Sequence, residues 1–456
     1  MRDPGGTRLT QRELGESSLR KQDLHGSVSD PVMDTMNFLN EITTRYPEAI
    51  SFAPGRPFEG FFEVDQVFVH LRRYLDHLKD AGNSDGEVRR ALFQYGPTAG
   101  QICEPISEWL RGEENIDVRP ESIVVTVGCQ EAMLLVLRAL VASPDDVLLV
   151  SSPCYVGISG AARLLDIEMI AVPERNDGLC CADVDAAILA ARARGLRPRA
   201  CYVVPDHANP SGVTMPADTR FELLEMAARR DVLLLEDSPY RLVSPEPRLP
   251  TLKSLDRQRR VVHLGSFSKT AFPGARVGFV IADQRVVDVA GRTSLLADEL
   301  AKIKSMVTVN TSPLSQAVVA GMLLACEGRM SEFNAAPTAH YSDAMRSALC
   351  QLDACLPLDR RTALGVDWNQ PSGGFFFNVR VPFPADNDAL RRSAEDFGVI
   401  WTPLSYFYPG GGGDHGIRLS TSYLADADII EGISRLAGFI ENQARLLRVS
   451  GATAAG

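Results

Sequence analysis

From about Ser122 to Thr270 the chain repeats one unit: a short apolar, β-branched run, a turn, then a segment with apolar residues at helical spacing. SIVVTVG is followed by CQEAMLLVLRALVA, and DVLLVSSPCYV by a helix near Gly157 to Leu165. IEMIAVP precedes the helix Asp183 to Arg194, and RACYVVPDHANPSG the helix Ala217 to Arg230. DVLLLEDSPY and RVVHLGSFSKT complete the series. Runs that are apolar throughout are buried on both faces, so helices must cover both sides of the sheet they form. The pattern predicts an α/β fold with a mainly parallel, doubly wound sheet. Ligands of such sheets bind outside the carboxyl ends of the strands, so the residues just past each run bear most on function.

The flanking segments frame that repeat. Residues 1–30 are polar, rich in Arg, Gly, Ser and Asp, and lack either period; they read as a mobile arm, too short for a separate DNA-binding domain. VMDTMNFLNEITTRYP has helical spacing, and AISFAPGRPFEGFF is an extended segment broken by Gly and Pro that lines a cleft rather than building a core. Residues 31–75 are assigned on this basis to the small domain and the cleft. An amphipathic helix over Val67 to Ala81 leads to the turn-rich LFQYGPTAG, where Tyr95 is exposed unless something binds it. Residues 76–325 are read as the large domain. Beyond it, GGFFFNVRVP and GIRLSTSYL are strands among helices, giving a smaller α+β domain over 326–445 and a tail over 446–456. The active site is expected between the two domains.

Composition removes several function classes. With 47 basic against 58 acidic residues the net charge is -11, and no long Lys/Arg block occurs, which argues against nucleic acid or an anionic membrane as partner. No apolar run reaches the roughly 18 residues of a membrane helix; Glu131 and Arg138 interrupt the best candidate. The nine cysteines have no paired metal spacing and no secretory pattern precedes them. A reduced cytoplasmic location and no metal site are the expectations.

Chemistry-bearing residues cluster at the strand ends. Lys269 stands just past VVHLGS, where a lysine can form a Schiff base with a carbonyl cofactor, and Ser266 and Arg276 flank it with the donor and charge that a phosphate needs. Gly128, Cys129 and Gln130 occupy a strand-to-helix junction, where free N–H groups and the helix dipole favour an anion. Asp237 ends VLLLE, where a carboxylate can keep a pyridine nitrogen protonated. Asn209 and Tyr240 can donate to a ring oxygen, Tyr155 can stack on a planar ring, and Arg418 can grip a carboxylate with two parallel hydrogen bonds. Each residue has an ordinary structural use by itself. Their shared position at successive strand ends is what independent accidents rarely produce.

The segments GCQEA, PCY, NPSG, DSPY, SFSKTAFPGARVG and IRLS resemble the class I/II aminotransferases, fold type I enzymes that use pyridoxal phosphate. The resemblance extends over roughly residues 45 to 440 and is most specific in the NP-G, D-x-x-Y and S-x-S-K-x-x-x-P-G-x-R set. It implies that Lys269 bonds the cofactor and serves as general base. Asp237 pairs with the pyridine nitrogen, Asn209 and Tyr240 hold the ring oxygen, and Tyr155 stacks. Gly128, Cys129, Gln130, Ser266 and Arg276 hold the phosphate; Arg418, with Gly55 and Asn209, binds the substrate. Tyr95 resembles the tyrosine that reaches the neighbouring subunit's phosphate, which implies a homodimer with shared sites. NFLNEITTRYPEAISFAPGRP and KSMVTVNTSPLSQA are most similar to the subgroup acting on 2-aminoadipate, aromatic amino acids and arylglycines.

Two segments depart from the family pattern. TPLSYFYPGGGG replaces a P-G-S-x-F segment of the small domain, and Glu104-Pro105 replaces Leu-Arg after YGPTAG. Arg56, Phe58 and Tyr406 are set near the cleft by family position. The expected reaction is amino transfer between an L-amino acid and a 2-oxo acid. The same chemistry at Cα also permits β- or γ-elimination, replacement, carbon–carbon bond formation on a substrate such as S-adenosylmethionine, or oxidation. A ligand-sensing regulator is the non-enzymatic alternative.

Overall fold

In the computed structural model, which describes the backbone of residues 19–245 and 247–454, the apolar runs pair much as their composition dictates. The strands are β1 (Ile50–Ser51), β2 (Ile123–Thr126), β3 (Asp146–Ser152), β4 (Glu168–Arg175), β5 (Gly178–Leu179), β6 (Arg197–Val203), β7 (Leu233–Asp237), β8 (Val261–Ser266) and β9 (Gly278–Ile281). A hairpin of β10 (Arg285–Val287) and β11 (Thr293–Leu295) follows. The carboxyl-terminal strands are β12 (Asp367–Trp368), β13 (Phe376–Arg380), β14 (Val399–Ile400), β15 (Thr402–Pro403) and β16 (Gly416–Ser420).

One eight-stranded sheet has the order β2-β9-β8-β7-β6-β3-β4-β5. Its centre is parallel: β3 pairs with β4 and β6, β6 with β7, and β7 with β8. β9 runs antiparallel to both β8 and β2, because the short link from Ser266 to Gly278 is a turn-back and not a helical crossover. The Lys269 segment is that link, so its side chain stands at the carboxyl edge.

Side-chain alternation divides the core between the two faces of the sheet. Val124, Leu148, Val150, Tyr202, Leu235, Val262, Leu264 and Val280 pack on one face with the helices Gly128–Leu140, Val156–Leu164 and Leu296–Val307. On the other, Leu149, Cys201, Val203, Leu234 and Val261 meet the helices Cys181–Ala193 and Ala217–Arg230, while Ile123, Val125, Phe279 and Ile281 meet Cys103–Glu113 and Pro313–Ala325. A Leu to Ala change at either layer removes apolar contacts on a fully buried strand, a loss of about 2–5 kcal/mol.

A four-stranded antiparallel sheet, β12-β13-β16-β15, forms the second centre, and β1 pairs in parallel with β14 beside it. The amino-terminal segment 31–52 therefore packs with carboxyl-terminal elements, through Leu39, Ile42 and Phe52. Residues 1–18 of the expected arm lie outside the described residues. Its remainder is shaped by two short turns, Lys21–Asp23 and Gly26–Ser29, by a hydrogen bond between His25 and Asp166, and by an ion pair from Asp30 to Arg163. The helix expected over Val67 to Ala81 begins earlier, at Val64, because its first turn is exposed and carries no apolar period. Among the described residues no helix is long and apolar enough to cross a membrane.

Candidate active site

The carboxyl edge of the large sheet and the amino-terminal and carboxyl-terminal elements enclose a cavity of about 580 Å³. From the large-sheet side it is lined by Cys129, Gln130, Tyr155, Asn209, Asp237, Tyr240, Ser266, Ser268, Lys269 and Arg276. Opposite them stand Leu39, Gly55, Phe376, Thr402, Tyr406, Phe407 and Arg418.

Lys269 reaches across the cavity: its Nζ donates to the Gly55 carbonyl at 2.6 Å. Gly55 must lack a side chain there, since a Cβ would lie 2.3 Å from the Phe376 ring. Burial is the main cause that brings the Lys269 amine down to about 8; the positive charges of Arg276 and Arg418 add to it, and Asp237 and Cys129 oppose it.

Asp237, only 2% exposed, ends β7. Its Oδ2 accepts from the Tyr202 hydroxyl at 2.6 Å, while Oδ1 is buried with no hydrogen-bond partner among the described residues. Burial pushes this carboxyl up to about 6, against the Tyr202 hydrogen bond and the charges of His263 and Lys269. A buried acceptor beside a lysine is a costly arrangement in a closed core, and it suits a donor arriving from the cavity.

The anion end is built on the amino terminus of the helix Gly128–Leu140. Gly128 adopts φ +75, and a Cβ there would lie 2.6 Å from Nη2 of Arg276, so the glycine lets the guanidinium close on the helix end. Gly128 is thus behind the cavity wall rather than on it. Gln130 donates to the Gly157 carbonyl at 3.0 Å and the Cys129 thiol to the Gly265 carbonyl at 3.2 Å. Burial, then the nearby Asp237, holds that thiol well above its ordinary range.

Arg418 is buried on β16 between β13 and β15. It donates to Asn209 Oδ1 at 3.1 Å, to Thr402 Oγ1 at 3.0 Å and to the Ala53 carbonyl. Its guanidinium lies 4.6 Å from the Phe376 ring centre and 4.8 Å from that of Phe407. Burial lowers it to about 10, and Nε has no partner among the described residues. Tyr155 precedes the helix Val156–Leu164, and burial raises its phenol to about 12; the Tyr240 phenol is raised too, and its ring packs edge-on against Phe375 and Phe376.

Other expected residues stand elsewhere. Tyr95 is 84% exposed and outside the cavity of its own chain. Arg56 lies 4.0 Å over the Tyr423 ring, and Phe58 packs on His340; neither borders the cavity. Tyr406 does border it, with its hydroxyl donating to Asn387.

Several residues that support the site carry no site role in the sequence reading. Tyr202 is signalled only by being a polar-tipped aromatic inside a buried run. Glu131, at the helix amino terminus, accepts from the Val127 N–H at 2.6 Å and from Lys304 at 2.7 Å, a buried pair 173 residues apart. Arg220, wholly buried, bonds Asp206 and the carbonyls of Pro205 and Met215, tying down the loop that carries Asn209. Nothing local in the sequence marks those two.

A planar pyridine bearing a phosphate fits these donors and acceptors: an open Asp237 oxygen for its N–H, a helix end with Arg276 for the anion, and an amine within the same cavity. The aminotransferase class I and II model matches residues 72–436. The chain is 47% identical over 94% of its length to the (S)-3,5-dihydroxyphenylglycine transaminase of Amycolatopsis orientalis, covering 96% of that protein. It is 32% identical to the 2-aminoadipate transaminase of Thermus thermophilus, over 88% of this chain and 92% of that one. The multiple substrate aminotransferase of Thermococcus profundus superposes with a TM-score of 0.78 at 26% identity, over 92% of this chain and 98% of that one. The chain belongs to the aminotransferase class I and II family.

Proposed function

We propose that this enzyme moves the amino group of an arylglycine or a related aromatic L-amino acid to a 2-oxo acid, with Lys269 as the cofactor lysine and general base. The observation that carries the reading is the meeting of Lys269, the unpartnered Asp237 oxygen and Arg418 in one cavity. Its substrate class rests on the 47% identity to a dihydroxyphenylglycine transaminase.

Pyridoxal phosphate, the family's cofactor, supplies when bound a carbonyl that takes up amines and a ring that accepts an electron pair from Cα. The protein's part is positioning and proton transfer. Arg418, oriented by Asn209 and Thr402, offers a fixed fork to the substrate carboxylate and so aims the Cα–H at Lys269. With its pKa near 8, the Lys269 amine is close to the working pH, where a general base is most effective at taking the Cα proton and delivering it elsewhere. Asp237, held by Tyr202, would supply the carboxylate that keeps a bound pyridine nitrogen protonated. Tyr155, Phe376 and Phe407 give the cavity aromatic walls.

Product analysis tests the reaction. An aryl amino acid incubated with a 2-oxo acid should yield one equivalent of aryl 2-oxo acid and one of new amino acid. Loss of a side-chain group without a new amino acid would point to elimination instead. A homodimer is proposed as the working form, supported by the exposed Tyr95, Phe93, Phe68 and Met306. A single monomeric species in sedimentation would overturn it.

A further inference from the structure

Gly160 has no conformational or packing reason to be glycine. It lies inside the helix Val156–Leu164 and is absent from the residues with left-handed φ. A Cβ added to it would meet nothing within 4 Å. Glycine weakens a helix relative to alanine, so the position forgoes local stability without a contact that demands it. What it does provide is space, and that space is in the active-site cavity, which Gly160 borders together with Val156 and Leu164.

These three positions are spaced by one helical turn each and form a single stripe along the helix. The opposite stripe, Ile158, Ala161 and Ala162, is anchored in the core against the large sheet. Tyr155 starts the helix, so at 1.5 Å per residue Gly160 lies about 7.5 Å along the axis from it.

The wall cannot retreat when a side chain is added. The opposite stripe already packs into the core, and Arg163, beside Val156 and Gly160 around the helix, pairs with Asp30 of the amino-terminal segment at 2.9 Å. Leu39 of that segment borders the cavity too. A larger residue at position 160 must therefore project into the cavity.

We infer that Gly160 is a specificity-determining residue: its missing side chain makes the room that admits an aryl group on Cα, and Val156, Leu164 and Leu39 form the apolar walls of that room. This rests on the aminotransferase reading of the site. It concerns the size of the side chain accepted, and not the chemistry at Cα.

The test compares wild type with Gly160→Ala and Gly160→Leu on amino acids of rising side-chain size, from alanine through leucine to phenylglycine and 4-hydroxyphenylglycine, using the 2-oxo acid formed as the readout. The cofactor's visible absorbance is recorded for each variant. The expected result is a kcat/KM ratio of phenylglycine to alanine that falls several-fold in Gly160→Ala and at least fiftyfold in Gly160→Leu, with the absorbance retained. An unchanged ratio in both variants overturns the inference, as does a preference that moves towards larger side chains. Should Gly160→Leu not fold, the smaller variant still decides, because alanine at a helical φ is tolerated and only the ratio is scored. A wild type that prefers another substrate class would instead refute the arylglycine reading, and the size ordering of the variants would still judge Gly160.

Discussion

The two walls of the cavity are built differently. The cofactor wall is made of residues at the carboxyl ends of buried strands or in the links that follow them, so the register of β2, β3, β6, β7 and β8 sets where those links begin. The substrate wall comes from an extended amino-terminal segment, the two-residue strand β15, the turn Leu404–Phe407 and one arginine on β16. A wall set by sheet register is rigid and shared by many chemistries. A wall of short segments can change without disturbing the sheet, and TPLSYFYPGGGG, one of the two segments that differ from the family pattern, belongs to it.

If that division holds, changes on the cofactor wall reduce turnover of every substrate, and changes on the other wall separate substrates. Lys269→Ala should have the largest effect, lowering turnover by about four orders of magnitude for all amino acids, with loss of the visible absorbance of bound cofactor. Retained turnover would break the assignment of this wall. Asp237→Asn comes next, with turnover down by roughly two to three orders of magnitude, because an amide does not hold a ring nitrogen protonated.

The same substitution should stabilise the cofactor-free protein. Burial raises the Asp237 pKa in the fold to about 6, above its ordinary value of 3.8, so the folded chain holds this proton more tightly than the unfolded one. The penalty for ionising the buried acid is absent below about pH 4, grows as pH rises to 6 and is complete above it, at most about 3 kcal/mol. A thermal melt should find Asp237→Asn more stable than wild type at pH 7 and equal to it at pH 4. On the substrate wall, Arg418→Lys should weaken kcat/KM about a hundredfold, since one ammonium does not replace a guanidinium held at Asn209, Thr402 and Ala53. Cofactor affinity, measured by titrating the visible absorbance, should change little.

The comparison also explains what the sequence discloses. The doubly wound sheet and Lys269, Asp237 and Gly128 are legible because apolar runs reveal strands, and a polar residue immediately after a run has one address. Arg418 is different: on composition it is one more arginine in a strand, and its use was read from family resemblance. Glu131 with Lys304, and Arg220 with Asp206, are legible in neither way, because the first pair is joined by two packed helices and the second by a helix folding back on a loop, and no local pattern encodes a buried pair. Gly160 is legible as a glycine in a helix. Its consequence requires knowing that the empty side of that helix borders the cavity.

The smallest predicted effect is at Lys269, where the walls meet. Two arginines lower its pKa besides burial: Arg276 from the cofactor wall and Arg418 from the substrate wall. Addition of the cofactor carbonyl requires the neutral amine, so the rate of cofactor uptake by the cofactor-free protein should rise about tenfold per pH unit below 8 and level off above it. Replacing Arg418 by Met removes one repelling cation; the ammonium form is then less disfavoured, and the pH midpoint of uptake must move upward, by a fraction of a unit. Arg276→Met should move it upward too, and by more, because Arg276 is the larger of the two charge effects, although loss of the anion partner will also slow uptake at every pH. Stopped-flow absorbance across pH 6 to 10 separates the two consequences, since a midpoint and a plateau are independent parameters. A midpoint that moves with Arg276 alone would mean that the substrate wall is electrically insulated from the lysine, and that the division between the walls is sharper than the geometry implies.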